Sequence, residues 1–118
     1  MIARLHSFKH ALRGILTLLE SQPNARIHLL ATGVVCALGF YFALSRIEWC
    51  LILLAIMAVW ITEALNSSLE FLADVAHPEF HPLIKKSKDV AAAAVLISAL
   101  GAVILGGLIF TPLIMNLG

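Results

Sequence analysis

Long stretches without charged side chains constrain this chain more than any other feature of its sequence. Residues 27–44 and 90–114 contain no Asp, Glu, Lys or Arg, and residues 49–61 repeat the pattern. A transmembrane helix needs about 20 predominantly apolar residues. The chain is 61% hydrophobic and 13% charged, whereas soluble domains are about 45–50% apolar and about 25% charged. The sequence therefore predicts an integral membrane protein.

The order of these stretches predicts an all-α membrane protein with one embedded domain over residues 1–118. Residues 1–22 are basic with apolar residues at helical spacing, which favours an amphipathic helix at the membrane surface, although a surface helix of a soluble domain would look the same. Pro23 ends this helix. We expect Ser87 or Asp89 to cap the last span. The three spans are predicted at about 27–44, 49–72 and 90–114.

Basic residues indicate the orientation of the predicted spans. Of the 8 Lys and Arg residues, all but Arg46 lie before the first span or between the second and third. Short loops rich in Lys and Arg face the cytoplasm. We therefore expect the N-terminus and the 77–88 loop on the cytoplasmic side.

Other classes of protein and site are excluded by simple features. A net charge of +1 predicts no strong attraction to nucleic acid. Cys36 and Cys50 lack the spacing of a zinc site. The N-terminal segment lacks the apolar core and cleavage site of a secretory signal peptide, so we expect no cleaved leader.

Polar residues share one face of the second predicted span. Glu63, Asn66, Glu70 and Asp74 are three, four and four residues apart, which places them on one side of an α-helix. We call these four residues the polar stripe. Carboxylates close to hydrocarbon are costly unless they face a bundle interior, a metal or water. A helix that simply leaves the membrane near Ile61 would not explain the shared face, so we infer a functional site.

The residue types of the polar stripe favour phosphoryl transfer. Carboxylate and amide oxygens are the ligands that Mg²⁺ prefers, and this ion usually accompanies nucleotide phosphates. The lysines of the 77–88 loop can bind phosphate as point charges. A carboxylate in partly apolar surroundings suits a general base. The chain has no GxxxxGK[ST] loop, so this common soluble nucleotide fold does not apply.

A known family has the same motifs. Residues 63–70 read Glu-Ala-Leu-Asn-Ser-Ser-Leu-Glu and are followed by Asp74, which resembles the signature of the prokaryotic diacylglycerol kinase and undecaprenol kinase family. Residues 24–28, 79–81 and 88–95 are similar to further segments of that family. The resemblance covers essentially the whole chain. It implies a homotrimer of three-span subunits in the bacterial inner membrane, with active sites shared between subunits.

The resemblance also implies roles for individual residues. Glu63 corresponds to the general base, while Asn66 and Lys88 correspond to residues that orient the phosphates and the reacting groups. Glu70 corresponds to a ligand of the Mg²⁺ bound with ATP. The ATP contacts implied in this way are Glu70, Glu79, His81, Lys88 and Asp89.

The second metal ligand departs from the family pattern. Many members have a Glu just before the first span, and the corresponding residue here is Gln22. Gln22 can still offer its amide oxygen, or Glu20 can substitute for it. The sequence does not decide between Gln22 and Glu20.

The implied activity is direct transfer of the ATP γ-phosphoryl group to a lipid alcohol at the cytoplasmic membrane surface. Diacylglycerol, which gives phosphatidic acid, is the expected substrate, and undecaprenol, which gives undecaprenyl phosphate, is the alternative. A small ion transporter or a non-catalytic membrane subunit is a further alternative, because intramembrane acids also mark ion paths. Transport predicts charge distributed through the depth of the spans, whereas these acids gather at one end.

Overall fold

The computed structural model describes residues 1–117 and contains four α-helices. No β-strand occurs within this range, which confirms the predicted all-α class. The third and fourth helices form a long antiparallel hairpin, the second packs against the third, and the first packs against the second. The helices are α1 (Ile2–Ser21), α2 (Pro23–Tyr41), α3 (Arg46–Ala76) and α4 (Pro82–Met115).

Local capping sets where the two long helices begin. Ser45 Oγ accepts from the Glu48 N–H at 3.2 Å, and Glu48 Oε1 accepts from the Ser45 N–H at 2.9 Å. This capping box starts α3 three residues before the predicted span. The expected cap of the last helix by Ser87 or Asp89 is wrong, because α4 already begins at Pro82 and the His81 side chain accepts from the Leu83 N–H at 3.1 Å.

Two helices, α3 and α4, are long and apolar enough to cross a membrane. They have 31 and 34 residues, or about 46 and 51 Å at 1.5 Å per residue, which exceeds the hydrocarbon thickness of about 30 Å. α2 occupies the first predicted span with 19 residues. Its first turn contains Asn24 and Arg26, which lower its mean hydropathy, so its crossing of the membrane stays a prediction.

An apolar cluster joins three helices at one end of the molecule. Leu44, Ile52 and Phe110 are its buried members. Beside it, Gly39 of α2 allows the Trp49 indole of α3 to approach closely, because a Cβ at residue 39 would lie 2.5 Å from Trp49 Cη2. The Trp49 indole thus packs the α2–α3 turn. This packing fixes α2 beside α3 and so sets which α2 residues reach the polar stripe.

The outer surface of the hairpin is apolar. Large hydrophobic side chains are exposed along α3 and α4, among them Leu54, Val103, Ile104 and Leu108. An apolar surface of this extent is not stable in water and marks contact with lipid or another protein. It agrees with the membrane class predicted from the sequence.

Candidate active site

The buried polar residues of the described chain lie together on α3. They are Glu63, Asn66 and Ser67, with 1%, 9% and 2% of their surface exposed. Apolar neighbours such as Leu65 and Leu72 point outward instead, so the helix turns its polar side inward. Asp74, three turns further along, is exposed. The polar stripe therefore runs from a dry end at Glu63 to an open end at Asp74.

Glu63 faces a histidine from another helix. Its Oε2 lies 3.7 Å from Nε2 of His28 on α2. Both atoms are buried and have no hydrogen-bond partner among the described residues. No role beside Glu63 was predicted for His28 from the sequence. The one available signal was its place in the 24–28 segment that resembles the family.

A short hydrogen-bond chain holds His28 in place. Trp60 Nε1–H donates to Thr32 Oγ1 at 3.0 Å, and Thr32 Oγ1–H donates to the backbone carbonyl of His28 at 2.7 Å. The rings of His28 and Trp60 also meet edge to face, with centroids 6.3 Å apart and planes at 67°. Since Trp60 lies one turn before Glu63, α3 both carries the carboxylate and orients its neighbour.

Asn66 and Glu70 form the next part of the polar stripe. Asn66 Nδ2 donates to Glu70 Oε1 at 3.4 Å, while Asn66 Oδ1 is buried without a partner. Asn66 Oδ1 and the Glu70 carboxylate therefore offer oxygen ligands on successive turns of α3, and oxygen ligands suit a hard cation. Residues 1–117 contain no group of three His, Cys, Asp or Glu that could enclose a metal. Mg²⁺ does not require such a cage, because it often binds one or two carboxylates together with substrate phosphates and water.

The two alternatives for the second metal ligand lie at the α1–α2 junction. Gln22 is half-buried between the helices, and its N–H donates to the Leu18 carbonyl at 3.0 Å. Glu20 is exposed, and its carbonyl accepts from Arg26 Nη2 at 2.6 Å. Arg26 Nε also donates to the Leu19 carbonyl at 2.9 Å. These bonds fix the junction, but neither side chain makes a hydrogen bond or ion pair with the polar stripe in the described residues.

Lys88 reaches the open end of the polar stripe from α4. Its Nζ donates to Asp74 Oδ1 at 2.7 Å. Lys88 precedes the apolar stretch that begins at Val90, and the hydrogen bond to Asp74, together with the nearby charge of Glu70, raises the pKa of its ammonium above the usual value. The structure thus places a stable positive charge near the predicted metal and phosphate residues.

The remaining predicted ATP contacts lie further out. Asp89 pairs with Lys85 at 2.7 Å, and both side chains are exposed. His81 caps α4, and its ring lies 5.3 Å from that of His77, centroid to centroid. The Glu79 carbonyl accepts from His77 Nδ1 at 2.8 Å, whereas its side chain points to solvent. Within residues 1–117, none of these side chains makes a hydrogen bond or ion pair with Glu63 or Asn66.

Comparison with known proteins decides the family. The sequence profile of the prokaryotic diacylglycerol kinases matches residues 9–110. The chain belongs to this family. Membership confirms the family predicted from residues 63–70 and Asp74. It also confirms the predicted kinase activity over transport.

Relatives of this kinase carry two names. The chain is 41% identical to an undecaprenol kinase of Bacillus subtilis, and the match covers 90% of this chain and 86% of that protein. It is 35% identical to a diacylglycerol kinase of Synechocystis, over 96% and 65% of the two chains. It is 43% identical to a diacylglycerol kinase of Helicobacter pylori, over 81% and 67%. All three relatives are kinases, and their names divide between two lipids.

Two cavities flank the polar stripe of this kinase. A groove of about 460 Å³ runs between α2, α3 and α4, and its lining is apolar from Phe110 and Gly106 up to Thr32 and His28. A second cavity of about 430 Å³ lies between α1 and α3, where Gly14 and Ser67 are among its lining residues. One end of the groove is therefore lined by His28, the residue that faces Glu63, and the second cavity is lined by Ser67, one turn further along α3.

Proposed function

We propose that this kinase transfers the γ-phosphoryl group of ATP to the hydroxyl of a membrane lipid, with diacylglycerol as the acceptor and phosphatidic acid as the product. The observation that carries the proposal is the position of Glu63. This carboxylate is 1% exposed, has an unpartnered Oε2, and lies beside the end of an apolar groove. A buried carboxylate close to an apolar groove suits proton abstraction from a lipid alcohol.

The groove supports an acceptor with a long hydrocarbon body. Its walls include the small residues Ala99, Ala102, Gly106 and Gly107 of α4, which leave room for a chain beside the helix. A lipid that enters from the bilayer places its apolar part along these residues. Its hydroxyl then lies at the level of His28, within reach of Glu63.

Glu63 acts as the general base in this proposal. It takes the proton of the lipid hydroxyl as the oxygen attacks the γ-phosphorus, and ADP leaves. Asn66 and Lys88 orient the phosphates, and the Lys88 ammonium offsets charge on the transferring group. Glu70, Glu79, His81 and Asp89 complete the ATP contacts.

The donor set fits Mg²⁺ bound together with ATP. Glu70 and the free Asn66 Oδ1 would hold the ion, with Gln22 or Glu20 as a further ligand. When bound, Mg²⁺ neutralises negative charge on the phosphates. The binding of ATP without its metal would bring four phosphate charges beside the Glu70 carboxylate. Within residues 1–117, Lys88 is the lysine that pairs with the polar stripe.

The proposed assembly is a homotrimer in the bacterial inner membrane. α2 is the third spanning helix, α1 lies at the surface, and the N-terminus and the 77–88 loop face the cytoplasm, where ATP is available. The exposed apolar sides of α3 and α4 supply surface for contact between subunits. Sites shared between subunits would explain why Glu79 and His81 stand apart from Glu63 within one chain.

The acceptor is tested with radiolabelled ATP and purified lipids in mixed micelles. Diacylglycerol and undecaprenol are supplied side by side, and the labelled lipid product is separated and counted. The proposal requires diacylglycerol to give the higher kcat/KM. Undecaprenol is the second candidate, because the relative with that name is matched over 86% of its length, and a higher kcat/KM for undecaprenol would transfer the assignment to it. Absence of lipid-dependent phosphorylation with either lipid would refute the proposed function.

A further inference from the structure

His28 and Glu63 present complementary atoms to each other in a dry environment. Their Nε2 and Oε2 atoms are 3.7 Å apart, and neither has another partner among residues 1–117. An N–H donor and a carboxylate acceptor bond at about 2.7–3.2 Å, so a movement of about half an ångström closes the gap. Buried polar atoms are normally paired. His28 Nε2 and Glu63 Oε2 are close enough to become partners of each other.

The imidazole is held from the helix that carries the carboxylate. Trp60 of α3 donates to Thr32, and Thr32 donates to the His28 carbonyl. The edge of one ring also lies against the face of the other, which restricts rotation of the His28 ring. Such a frame is typical of groups that orient a reactive side chain.

The two carboxylate oxygens of Glu63 differ in their surroundings. Oε2 is among the buried unpartnered atoms, whereas Oε1 is not. We propose that His28 is a positioning residue: its Nε2–H bonds Glu63 Oε2 and leaves Oε1 directed at the lipid hydroxyl. This inference rests on the proposed function, because it assumes that Glu63 is the base.

In the proposed reaction, His28 neither takes up nor gives away a proton. As the lipid oxygen bonds to the γ-phosphorus and the bond to the ADP oxygen breaks, the hydroxyl proton passes to Glu63 Oε1. His28 keeps its own proton on Nε2 throughout. The hydrogen bond to the carboxylate fixes the direction of its remaining lone pairs.

Two substitutions of His28 test the proposal in the full-length chain in lipid nanodiscs. His28→Leu removes the donor, and we expect kcat to fall at least about tenfold with the KM for ATP within about twofold, because misplacement of a catalytic group acts on the rate of transfer. His28→Gln retains an N–H donor at a similar distance and should keep kcat within about threefold of the wild type. His10→Leu on exposed α1 is the matched control and should leave both constants unchanged.

The Glu63→Gln background separates positioning from a structural role. If His28 acts only through Glu63, His28→Leu causes no further loss there. An equal loss in both backgrounds, or unchanged kcat in the wild-type background, would overturn the proposal. If His28→Leu does not fold, Thr32→Val serves as the second test, because it removes the hydrogen bonds from Trp60 and to the His28 carbonyl. The proposal then predicts a lower kcat at constant KM for ATP. Full turnover by Glu63→Gln alone would instead refute the proposed base.

Discussion

Replacing Glu63 with glutamine is expected to make the protein more stable and far less active. Glu63 is 1% exposed, and in this structure its Oε2 lies 3.7 Å from His28 Nε2, too far for a hydrogen bond. A buried polar group without a partner costs about 1–3 kcal/mol, and more when it is charged. Glutamine has nearly the same shape but carries no charge. We therefore expect the free energy of unfolding to rise by about 1–2 kcal/mol.

The same substitution removes the proposed base. General-base catalysis contributes about 10²–10⁴-fold to a rate, which corresponds to about 3–5 kcal/mol of barrier. Because glutamine cannot accept the hydroxyl proton, kcat should fall by about this factor. ATP binding should change little, since Glu63 lies at the dry end of the polar stripe, away from Lys88. A gain in stability together with a loss of activity is typical of a residue kept for function.

The assay combines unfolding in detergent micelles, followed by circular dichroism, with transfer of labelled phosphate to lipid. Glu48→Gln on the same helix is the matched control, because glutamine preserves the capping box with Ser45. It should change stability by less than about 0.5 kcal/mol and leave kcat unaltered. A Glu63→Gln protein that is less stable than the wild type would refute the argument from burial. One with full turnover would refute the role in proton transfer.

Two further predictions concern packing and charge. Gly39→Ala should lower the unfolding free energy by about 1–3 kcal/mol, because its Cβ would lie 2.5 Å from the Trp49 ring; Gly33→Ala, with nothing within 4 Å, is the control, and equal melting curves would contradict this account. Lys88→Gln should lower kcat/KM for ATP about 100-fold, while Lys9→Gln on exposed α1 should stay within about twofold in the same assay; equal effects would show that only general positive charge matters.

Spacing along one helix predicted the shared face of the polar stripe. The period of Glu63, Asn66 and Glu70 placed them on one face, and the structure buries that face at its Glu63 end. Such a prediction succeeds because the geometry of a helix fixes the angle between its own residues. The helices were also predicted, since long apolar stretches leave little choice of structure in a membrane.

Relations between helices were not predictable in the same way. The contact of His28 with Glu63 depends on how α2 is rotated against α3, which is set by the close packing of Gly39 on Trp49 and by the Trp60–Thr32 hydrogen bond. No pattern within one segment encodes that rotation. The start of α4 was misplaced for a different reason: the His81 cap was overlooked in favour of residues nearer the apolar stretch.

The length of the α3–α4 hairpin bears on the depth at which the proposed reaction takes place. At about 46–51 Å, the pair is about 16–21 Å longer than the hydrocarbon layer is thick, so an upright hairpin extends beyond the hydrocarbon, and the proposed cytoplasmic orientation would place Asp74 and Lys88 among the headgroups of one monolayer. A lipid that gains a phosphate there becomes anionic at the same depth. Movement of this lipid to the other monolayer would require its charge to pass through the hydrocarbon core, which is strongly unfavourable. With the proposed orientation, the enzyme would therefore deliver its acidic lipid to one monolayer of the membrane.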